Sequence, residues 1–587
     1  MSNARAPRRA FLALALSLFL FALAMSLLAL PSTIQAQTVP EKPVVAHVAF
    51  DEKADLQWIT DHGYDVWAVE QKERYAVVAL SPAEWRTLAA AGYTLSIDEA
   101  HTARMQRSGP DAFYGGYLNA EELYAFLDET VTTHPTITQL VDYGDSWEKV
   151  TPGGNAGYDL QVLRITNRAI SGTVPAPGLA YRPDITITKP LFFLMSNIHS
   201  REITTPEMGR RFIALLTEGY GSDPDVTWLV DNHEIWIVLT ANPDGYKIVE
   251  NSGNGLLYHR KNTNITNGIG CTFPSSSSNH YGVDLNRNAS FRWGGTGSSD
   301  KPCDATYHGP SAASEPEEQA LESLMSGLFN DQRGPLTDDM APLDTSGLMI
   351  SLHSYSDLVL WPWGWTDRRN ANFAQLAQLG SKFSSYNGYT AQQSIALYPT
   401  TGTTDDWAYG TLGIASYTFE IGPGDWADPC SDFFPPYECQ DMFWELNGPA
   451  LLYAAKSARA PYQLPSGPDT LSVTVSAPFV MSGSSMVITA QISDTSNGNQ
   501  PVAEARYWLD TPEWNAGTAI PMSATDGTFD SPTEQVQATL NTSGLQLGRH
   551  TSFIQGRDTS GHWGPVTAAF LEVSETNETL LLPLLRH

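Results

Sequence analysis

A histidine and a glutamate stand three positions apart directly after an apolar run. His199 and Glu202 follow residues 191–198, and Thr205-Pro206-Glu207 just beyond them predicts the start of a helix. A strand end followed by a helix start can turn both side chains to one point. Neutral imidazole and carboxylate are ligands suited to Zn²⁺. This pair alone is weak evidence for a metal site, because a chain with 13 histidines and many glutamates contains one by chance.

Two more polar side chains end apolar runs elsewhere in the chain. His353 closes the run 348–353, and Glu420 closes the run 415–420. A carboxylate without a partner is costly among apolar neighbours, so Glu202 and Glu420 fit a metal or proton-transfer role better than a solvated surface. A polar cluster without helical period lies between these runs and contains Asp284, Asn286 and Arg287.

The runs that end in these residues alternate with amphipathic segments. Strands are predicted at 159–166, 191–198, 234–240, 348–353 and 415–420, and helices at 119–132, 205–219, 314–330 and 371–386. Ser314 and Glu317 have the spacing of a capping box. Strands separated by helices predict an α/β domain at 112–460, with a sheet covered by helices on both faces. In such sheets, sites form at strand ends.

Taken together, the motifs resemble those of the zinc carboxypeptidases, a family that includes the pancreatic A and B enzymes and the bacterial carboxypeptidase T group. The resemblance covers about 112–460 and implies a mixed, mostly parallel sheet flanked by helices. It rests on motifs that occur in the family's order, namely His199-Ser-Arg-Glu202, Asn242-Pro-Asp-Gly-Tyr246, Arg260-Lys261, Gly282-Val-Asp-Leu-Asn-Arg287, His353-Ser-Tyr355, Tyr398, Asp406-Trp407 and Phe419-Glu420.

The resemblance implies a role for each of these residues. His199, Glu202 and His353 would bind one Zn²⁺ in the catalytic domain and leave a fourth position for water. Glu420 would be the general base, and Arg260 would stabilise the oxyanion. The remaining positions would hold the substrate or support the ligands: Asn286, Arg287 and Tyr398 at the terminal carboxylate, Arg201 along the groove, and Asp284 behind a zinc-binding imidazole.

Asp405 directly precedes Asp406-Trp407, at the position that the resemblance places at the base of the specificity pocket. Members of the family that prefer basic residues carry Asp there. A carboxylate buried at that point would pair with a C-terminal Lys or Arg, so we expect cleavage of basic and, alongside them, apolar C-terminal residues. The alternative is that Asp405 starts a helix and points away from the pocket.

The four cysteines form two local pairs, Cys271 with Cys303 and Cys430 with Cys439. An even, sparse count in an exported chain favours two disulfides, although four cysteines allow three connectivities. Neither pair has the CxxC spacing of a cysteine zinc site. By resemblance, the first pair brackets the Asn286-Arg287 loop as a family disulfide does.

Residues 1–36 have the composition of an export signal. Basic residues precede an apolar run at 10–30, and a cleavage site is expected after Ala36. Arg8-Arg9 is compatible with twin-arginine export or with an ordinary basic start, and the run is long enough for a retained anchor. With the signal removed, we expect a secreted protein without a membrane span.

Three units follow the signal. The N-terminal unit, residues 37–110, combines strands at 44–48 and 75–80 with a helix capped by Ser81, and it ends in a polar, protease-accessible stretch. It is therefore either a removable pro-segment or a permanent domain. After the central domain and a linker at 461–469, short alternating runs at 470–574 predict an Ig/fibronectin-like β-sandwich, followed by a leucine-rich tail at 575–587.

The sandwich is expected to bind a surface, a polysaccharide or a protein, or to position the enzyme. Its tryptophans Trp508, Trp514 and Trp563 could stack on sugars, but core positions are the more frequent place for such residues.

Charge and motifs together define the expected activity. The chain carries 34 Lys and Arg against 64 Asp and Glu, a net charge of −30, so nucleic acid is not an expected partner. We predict a secreted zinc metallocarboxypeptidase that hydrolyses the C-terminal bond of peptides and proteins with a free C-terminus, using a metal-activated water. The alternatives are a zinc peptidase of the same scaffold that acts on cell-wall peptides, and a non-catalytic binding protein.

Overall fold

Three units follow one another in the computed structural model, which describes residues 39–99, 101–102, 113–251, 258–271, 280–425 and 428–575. The predicted export signal at 1–36, the stretch containing Arg104 and Arg107, and the tail at 576–587 lie outside the described residues. The expectations for these segments stay predictions. Among the described residues, no helix is both long and apolar enough to cross a membrane.

The N-terminal unit is a small α+β fold, as predicted. Strands β1 (Val44–Ala49), β2 (Asp65–Glu70), β3 (Tyr75–Leu80) and β4 (Leu95–Ile97) form an antiparallel sheet in the order β2-β3-β1-β4, with helices α1 (Lys53–Asp61) and α2 (Pro82–Ala90). Ser81 caps α2 as expected, since its side chain accepts a hydrogen bond from the Glu84 amide while the Glu84 side chain binds the Ser81 amide.

The central domain is built on an eight-stranded mixed sheet, which confirms the predicted fold class. Its strands are β5 (Thr138–Asp145), β6 (Asp159–Ile165), β7 (Leu191–Met195), β8 (Glu234–Val238), β9 (Leu348–His353), β10 (Leu358–Trp361), β11 (Thr390–Gln393) and β12 (Ala415–Glu420), in the order β11-β10-β12-β9-β7-β8-β6-β5. The four central strands β12, β9, β7 and β8 are parallel, so their carboxyl ends lie at one edge.

Helices cover both faces of this sheet. They are α3 (Ala120–Thr133), α4 (Trp147–Val150), α5 (Thr204–Gly219), α6 (Pro224–Asn232), α7 (Pro243–Glu250), α8 (Pro316–Leu328), α9 (Phe373–Asn387), α10 (Thr404–Trp407) and α11 (Cys439–Ser457). Successive residues of β7 point to opposite faces: Phe192 and Leu194 join one apolar core, and Phe193 and Met195 join the other. A strand buried on both faces explains why β7 is continuously apolar.

The predicted strands and helices of the central domain are all present, with ends shifted by a few residues. Strands β5, β10 and β11 and helices α4, α6, α7, α10 and α11 were not predicted. The capping box of Ser314 and Glu317 was wrong, because α8 starts at Pro316 with Glu315 at its N-cap. The Glu317 carboxylate instead accepts the backbone N–H of Trp147 at 2.7 Å.

The C-terminal unit is the predicted β domain. Its strands are β13 (Asp469–Val475), β14 (Phe479–Met481), β15 (Ser485–Ser493), β16 (Val502–Leu509), β17 (Ile520–Ala524), β18 (Thr533–Asn541), β19 (Gly548–Asp558) and β20 (Thr567–Ser574), in the order β13-β15-β18-β17-β16-β19-β20-β14. Side chains from both halves of this order, such as Ile488 and Val536 with Tyr507 and Ile554, form one apolar core. The two halves therefore face each other as layers.

Candidate active site

Three side chains that could bind a metal meet at the carboxyl edge of the central sheet. His353 is the last residue of β9, and His199 and Glu202 lie in the turn between the neighbouring parallel strand β7 and helix α5. Asn197 shapes this turn with a φ of 56° and donates its side-chain amide to the His199 carbonyl at 3.1 Å. The predicted grouping from three separate sequence positions is therefore present.

The ligand atoms face one another. His199 Nδ1 lies 2.7 Å from Glu202 Oε1, and His353 Nδ1 lies 3.1 Å from Glu202 Oε2 and 3.1 Å from His199 Nδ1. All three side chains are buried, and their ligand atoms lie within 4.8 Å of one another. Two imidazole nitrogens and a carboxylate are the donor set that zinc prefers in catalytic sites, so these residues fit the metal.

The opposite ring nitrogens are held by hydrogen-bonding partners. His199 Nε2 lies 3.2 Å from Asp284 Oδ1, and His353 Nε2 lies 3.0 Å from Ser351 Oγ. Such partners orient a ligating imidazole so that its other nitrogen is directed at the metal. The contact of Asp284 agrees with the position that the family resemblance implies for it, whereas Ser351 was not predicted. The sequence signal for Ser351 was its position two residues before His353, because residues two apart on a strand point to the same face.

Glu420 stands beside the metal-binding group. It ends β12, which pairs with β9 in a parallel register that places Glu420 opposite His353. Burial of the carboxyl raises the pKa of Glu420, and the nearby Glu202 charge raises it further, while His353 opposes the shift. A carboxyl with a raised pKa beside a metal site can both accept and return a proton near neutral pH.

Arg260 lies directly on the ligand group. Its Nε donates to Asp284 Oδ2 at 2.9 Å, and its Nη1 lies 3.1 Å from His199 Nδ1. Asp284 thus contacts both a metal-binding histidine and this guanidinium. The guanidinium of Arg260 is thus held beside the metal-binding group.

The predicted carboxylate-binding residues line the same cleft, the cavity that contains the metal-binding group and has about 580 Å³ of empty space. Asn286 and Arg287 belong to a short 3₁₀ turn, Leu285–Arg287. Arg287 Nε donates to the Gly297 carbonyl at 2.8 Å, and Asn286 Oδ1 accepts the Thr404 N–H at 3.0 Å, so both side chains are fixed. Tyr398 lines the cleft and is only half-buried.

Asp405 also lines the cleft rather than pointing away from it. It lies in α10 and is 5 % exposed. Its Oδ1 accepts the Asp406 N–H at 2.9 Å, and its Oδ2 lies 3.1 Å from Ser394 Oγ. Among the described residues, no basic nitrogen lies within 4.0 Å of this carboxylate. A buried negative charge thus faces the cleft without a cationic partner.

Arg201 lines the cleft, but its partner comes from the N-terminal unit. Its two terminal nitrogens donate to the two carboxylate oxygens of Asp65 at 2.8 and 2.9 Å. Burial alone would favour the neutral acid, but the charge and hydrogen bonds of Arg201 hold the pKa of Asp65 below its usual value. Trp67, two residues on, stacks on Tyr258 with ring centres 4.8 Å apart and meets the edge of Phe433 at 5.3 Å.

None of the four residues Asp65, Trp67, Tyr258 and Phe433 was predicted to belong to the site. The signal in β2 was a buried acid within a strand of the N-terminal unit, next to aromatic and apolar residues. Only the docking of the N-terminal unit against the central domain makes that acid a partner of Arg201, 136 residues further along the chain.

Both predicted disulfides are present. Cys271 is bonded to Cys303, and Cys430 is bonded to Cys439. The first closes the segment that carries Asp284, Asn286 and Arg287. The second closes residues 430–439, called the disulfide loop below, which carries Phe433 into the cleft.

Comparison with known proteins decides the family. A family model described as zinc carboxypeptidase matches residues 123–447, more than half of the chain. The chain belongs to the zinc carboxypeptidase family. The carboxypeptidase is 28% identical over 417 residues to a zinc carboxypeptidase of Saccharothrix mutabilis subsp. capreolus, covering 67% of this chain and 83% of the relative. It is 28% identical over 397 residues to human carboxypeptidase A5, covering 65% and 74%.

A solved structure has the same fold. Carboxypeptidase A from Helicoverpa armigera superposes with a TM-score of 0.54 at 22% identity, covering 72% of this chain and 98% of that chain. The carboxypeptidase is therefore a zinc-dependent peptide hydrolase by family, with peptides as its class of substrate.

Proposed function

We propose that this carboxypeptidase is exported and removes the C-terminal residue from peptides and proteins, with Glu420 as its general base. The observation that carries the proposal is the register of β9 and β12, which sets Glu420 beside the metal-binding His353. The carboxylate-binding residues Asn286 and Arg287 line the same cleft. A site with a base at one end and a carboxylate-binding group at the other suits hydrolysis of the last peptide bond.

Each part of the cleft has a separate task. His199, Glu202 and His353 would hold zinc, which when bound supplies Lewis-acid polarisation of the scissile carbonyl and the attacking water. Glu420 takes a proton from that water and returns it to the leaving amine. Arg260 stabilises the negative charge that develops on the carbonyl oxygen.

Replacement of the proposed base tests this assignment. Glu420→Gln is expected to lower kcat by about 10²- to 10⁴-fold, because it removes proton transfer but keeps the shape of the side chain. Zinc content is measured in parallel and should stay at one ion per chain, since Glu420 is not among the three grouped ligands. The exposed Glu445→Gln on α11 is the matched control. Full activity of Glu420→Gln would refute the role.

The alternative substrate is tested in the same assay. Release of amino acids from cell-wall peptides, without release from ordinary peptides that end in a free carboxylate, would favour the alternative function, a zinc peptidase of the same scaffold that acts on cell-wall peptides. The buried Arg287 beside Asn286 supports a normal terminal carboxylate, since a guanidinium suits that group geometrically.

We further propose that Asp405 gives the enzyme a preference for C-terminal Lys and Arg. Its buried carboxylate without a cationic partner would gain one from the substrate. Asp405→Ala is expected to lower the ratio of Arg release to Phe release from matched peptides by at least about tenfold, the effect of losing a charged hydrogen bond. An unchanged ratio would show that the Asp405 carboxylate does not determine which C-terminal residue is preferred.

We infer that the N-terminal unit is a pro-segment that covers the cleft. The support is the paired contact of Asp65 with Arg201 and the presence of Val66 and Trp67 among the residues that line the cleft. These side chains occupy part of the cleft that a peptide substrate would need. Removal of the unit would therefore activate the enzyme.

The pro-segment proposal predicts a gain of activity from a single change. Asp65→Ala leaves the buried Arg201 without its partner, which weakens docking of the unit and should raise the activity of the uncleaved chain several-fold. Limited proteolysis should raise wild-type activity further, and mass spectrometry of the secreted protein would give its mature N-terminus. Equal activity before and after removal of the unit would make it a permanent domain.

A further inference from the structure

A second buried contact joins the N-terminal unit to the central domain, away from Arg201. His101 is fully buried, and its Nδ1 lies 2.9 Å from Asp98 Oδ2 while its Nε2 lies 2.7 Å from the Ser431 carbonyl oxygen of the disulfide loop. The other oxygen of Asp98 accepts the His101 backbone N–H at 2.9 Å. His47 Nε2 lies 3.2 Å from Asp98 Oδ2 on the other side.

Both ring nitrogens of His101 thus face oxygens that can only accept hydrogen bonds. The Ser431 carbonyl is never a donor. Asp98 is ionised, because hydrogen bonds from His101 and His47 outweigh the effect of its burial and hold its pKa well below the usual value. A neutral imidazole has one N–H, whereas an imidazolium has two. Only the protonated ring can donate to both partners at once.

The described residues near this contact include His47 and several carboxylates. Within the N-terminal unit, His47 on β1 stacks on Tyr75 of β3 with ring centres 4.4 Å apart. Burial raises the pKa of Tyr75, and nearby negative charges, including those of Asp98 and of Asp425 in the central domain, raise it further. In the central domain, burial raises the pKa of Tyr355. The negative charges of Asp432 and of Asp98, which lies across the interface in the N-terminal unit, raise it further. Carboxylates of both units therefore lie near this interface.

The contact is linked to the wall of the cleft through the disulfide loop. Ser431 accepts the hydrogen bond of His101, and Phe433, two residues on, packs against Trp67 and under the guanidinium of Arg201 at 4.2 Å. The Cys430–Cys439 bond keeps this loop short. His101 and Trp67 therefore bind the same short loop at two points.

We propose that His101 is a proton-dependent latch, which clamps the N-terminal unit to the disulfide loop while its ring is protonated and releases it when the proton is lost. The latch rests on the proposed covering role of the unit. Its contribution is present at low pH and falls as the pH rises, because deprotonation leaves one buried nitrogen facing an oxygen without a hydrogen between them. That loss should weaken docking about tenfold to a hundredfold.

The test compares activities of the uncleaved, zinc-loaded full chain at about pH 6 and at about pH 8.5. His101→Gln can donate from its amide nitrogen only and carries no charge. The activity ratio of His101→Gln to wild type should be about ten or more at the lower pH and approach one at the higher pH. The ratio cancels the pH dependence of the cleft itself.

His62→Gln is the matched control, because His62 is an exposed histidine of the same unit that stacks on Trp58. Its ratio to wild type should stay near one at both pH values. A ratio for His101→Gln that does not change with pH overturns the latch. As a second readout, the cleaved unit should co-elute with the wild-type enzyme at the lower pH and separate from it at the higher pH.

Asp65→Ala separates failure of the latch from failure of the covering role. If Asp65→Ala raises activity at both pH values while the His101→Gln ratio is flat, the unit covers the cleft and only the latch is wrong. If neither variant raises activity at either pH, the covering role itself is wrong.

Discussion

Single buried carboxyl groups outside the cleft make the stability of this protein depend on pH. Glu317 accepts the Trp147 N–H and, at 3.2 Å, an N–H of Asn262. Burial and the neighbouring Glu315 charge raise the pKa of Glu317 to about 8. Burial likewise raises the pKa of nearby Asp244 to about 6. The folded state therefore binds protons that the unfolded chain releases at lower pH.

The sign of the effect on stability follows from this shift. Because the folded pKa of Glu317 lies above its unfolded value, the free energy of unfolding falls as pH rises from about 4.3 toward the folded value. Glu317→Gln keeps the side chain neutral, so it should be more stable than wild type at about pH 8.5 and lose that advantage near pH 5. Melting curves at both pH values measure this. The exposed Glu129→Gln should show no such crossover.

Ser351 is expected to affect metal affinity without binding the metal itself. Its hydroxyl holds His353 Nε2 and so directs Nδ1 at the ligand group. Ser351→Ala is expected to weaken zinc binding about tenfold to a hundredfold, as is usual for partners of ligating histidines. Competition with a chelator measures the affinity. Ser385→Ala is the control, since that hydroxyl bonds only a helix carbonyl, and equal affinities of Ser351→Ala and wild type would contradict the prediction.

At the scale of elements, the first disulfide holds together the segment on which the carboxylate-binding residues stand. Cys271 and Cys303 are 32 residues apart and enclose Asp284, Asn286 and Arg287. Replacing both cysteines with serine should lower stability by about 3 kcal/mol, because the unfolded chain gains the freedom of an open loop. Zinc binding should survive, since His199, Glu202 and His353 lie outside the loop. Urea unfolding and zinc content together test this.

The parallel register of β7, β9 and β12 is the element-scale cause of the site. Residues 353 and 420 are paired across neighbouring strands, and the turn after β7 supplies the other two side chains. Parallel strands of one sheet end at the same edge, so residues far apart in sequence meet there. This is why His353 and Glu420, which end predicted strands, and His199, which directly follows one, lie close together in the structure.

At the scale of the whole molecule, the C-terminal sandwich packs against the central domain. Trp508 and Phe553 belong to the same apolar core as the helices of that domain. Trp514 packs on Trp228 of α6 and lies under the guanidinium of Arg459 at 4.1 Å. Burial at this interface lowers the pKa of Arg459 to about 9. Lys382 and Asp469 form a buried ion pair between the two units.

Removal of the sandwich should therefore destabilise the enzyme. A chain that ends at the linker exposes the apolar sides of α6 and α11, and we expect a lower melting temperature and aggregation. A smaller change tests the same interface, since Trp514→Ala should cost about 2 kcal/mol. The control is Phe479→Ala, because Phe479 is 45 % exposed on β14. An unchanged melting temperature after removal would show a freely tethered module.

Binding of a surface, polysaccharide or protein by the sandwich stays a prediction. Two of its three tryptophans are engaged by the central domain, as described above. Trp563 is half-buried and has the guanidinium of Arg506 3.5 Å from the centre of its ring. Any stacking on a sugar would have to compete with that contact.

By itself, the sequence predicted the order of units, most strands and helices of the central domain, and the polar residues His199, Glu202, His353 and Glu420 at or just after the ends of apolar runs. These follow from local periodicity and from the rule that parallel strands end together, so they need no knowledge of distant contacts. The family resemblance added Arg260, Asn286, Arg287 and Tyr398, which line the same cleft, and Asp284, which contacts His199 and Arg260 behind it.

Only the tertiary structure decided what these residues touch. Asp65 meets Arg201 and His101 meets Ser431 across unit boundaries, at sequence separations of 136 and 330 residues. Glu317 binds Trp147 rather than capping its own helix, because burial against α4 offered a backbone donor that local spacing cannot reveal. Local patterns fix which face of an element is buried, whereas partners of buried charges depend on how the faces dock.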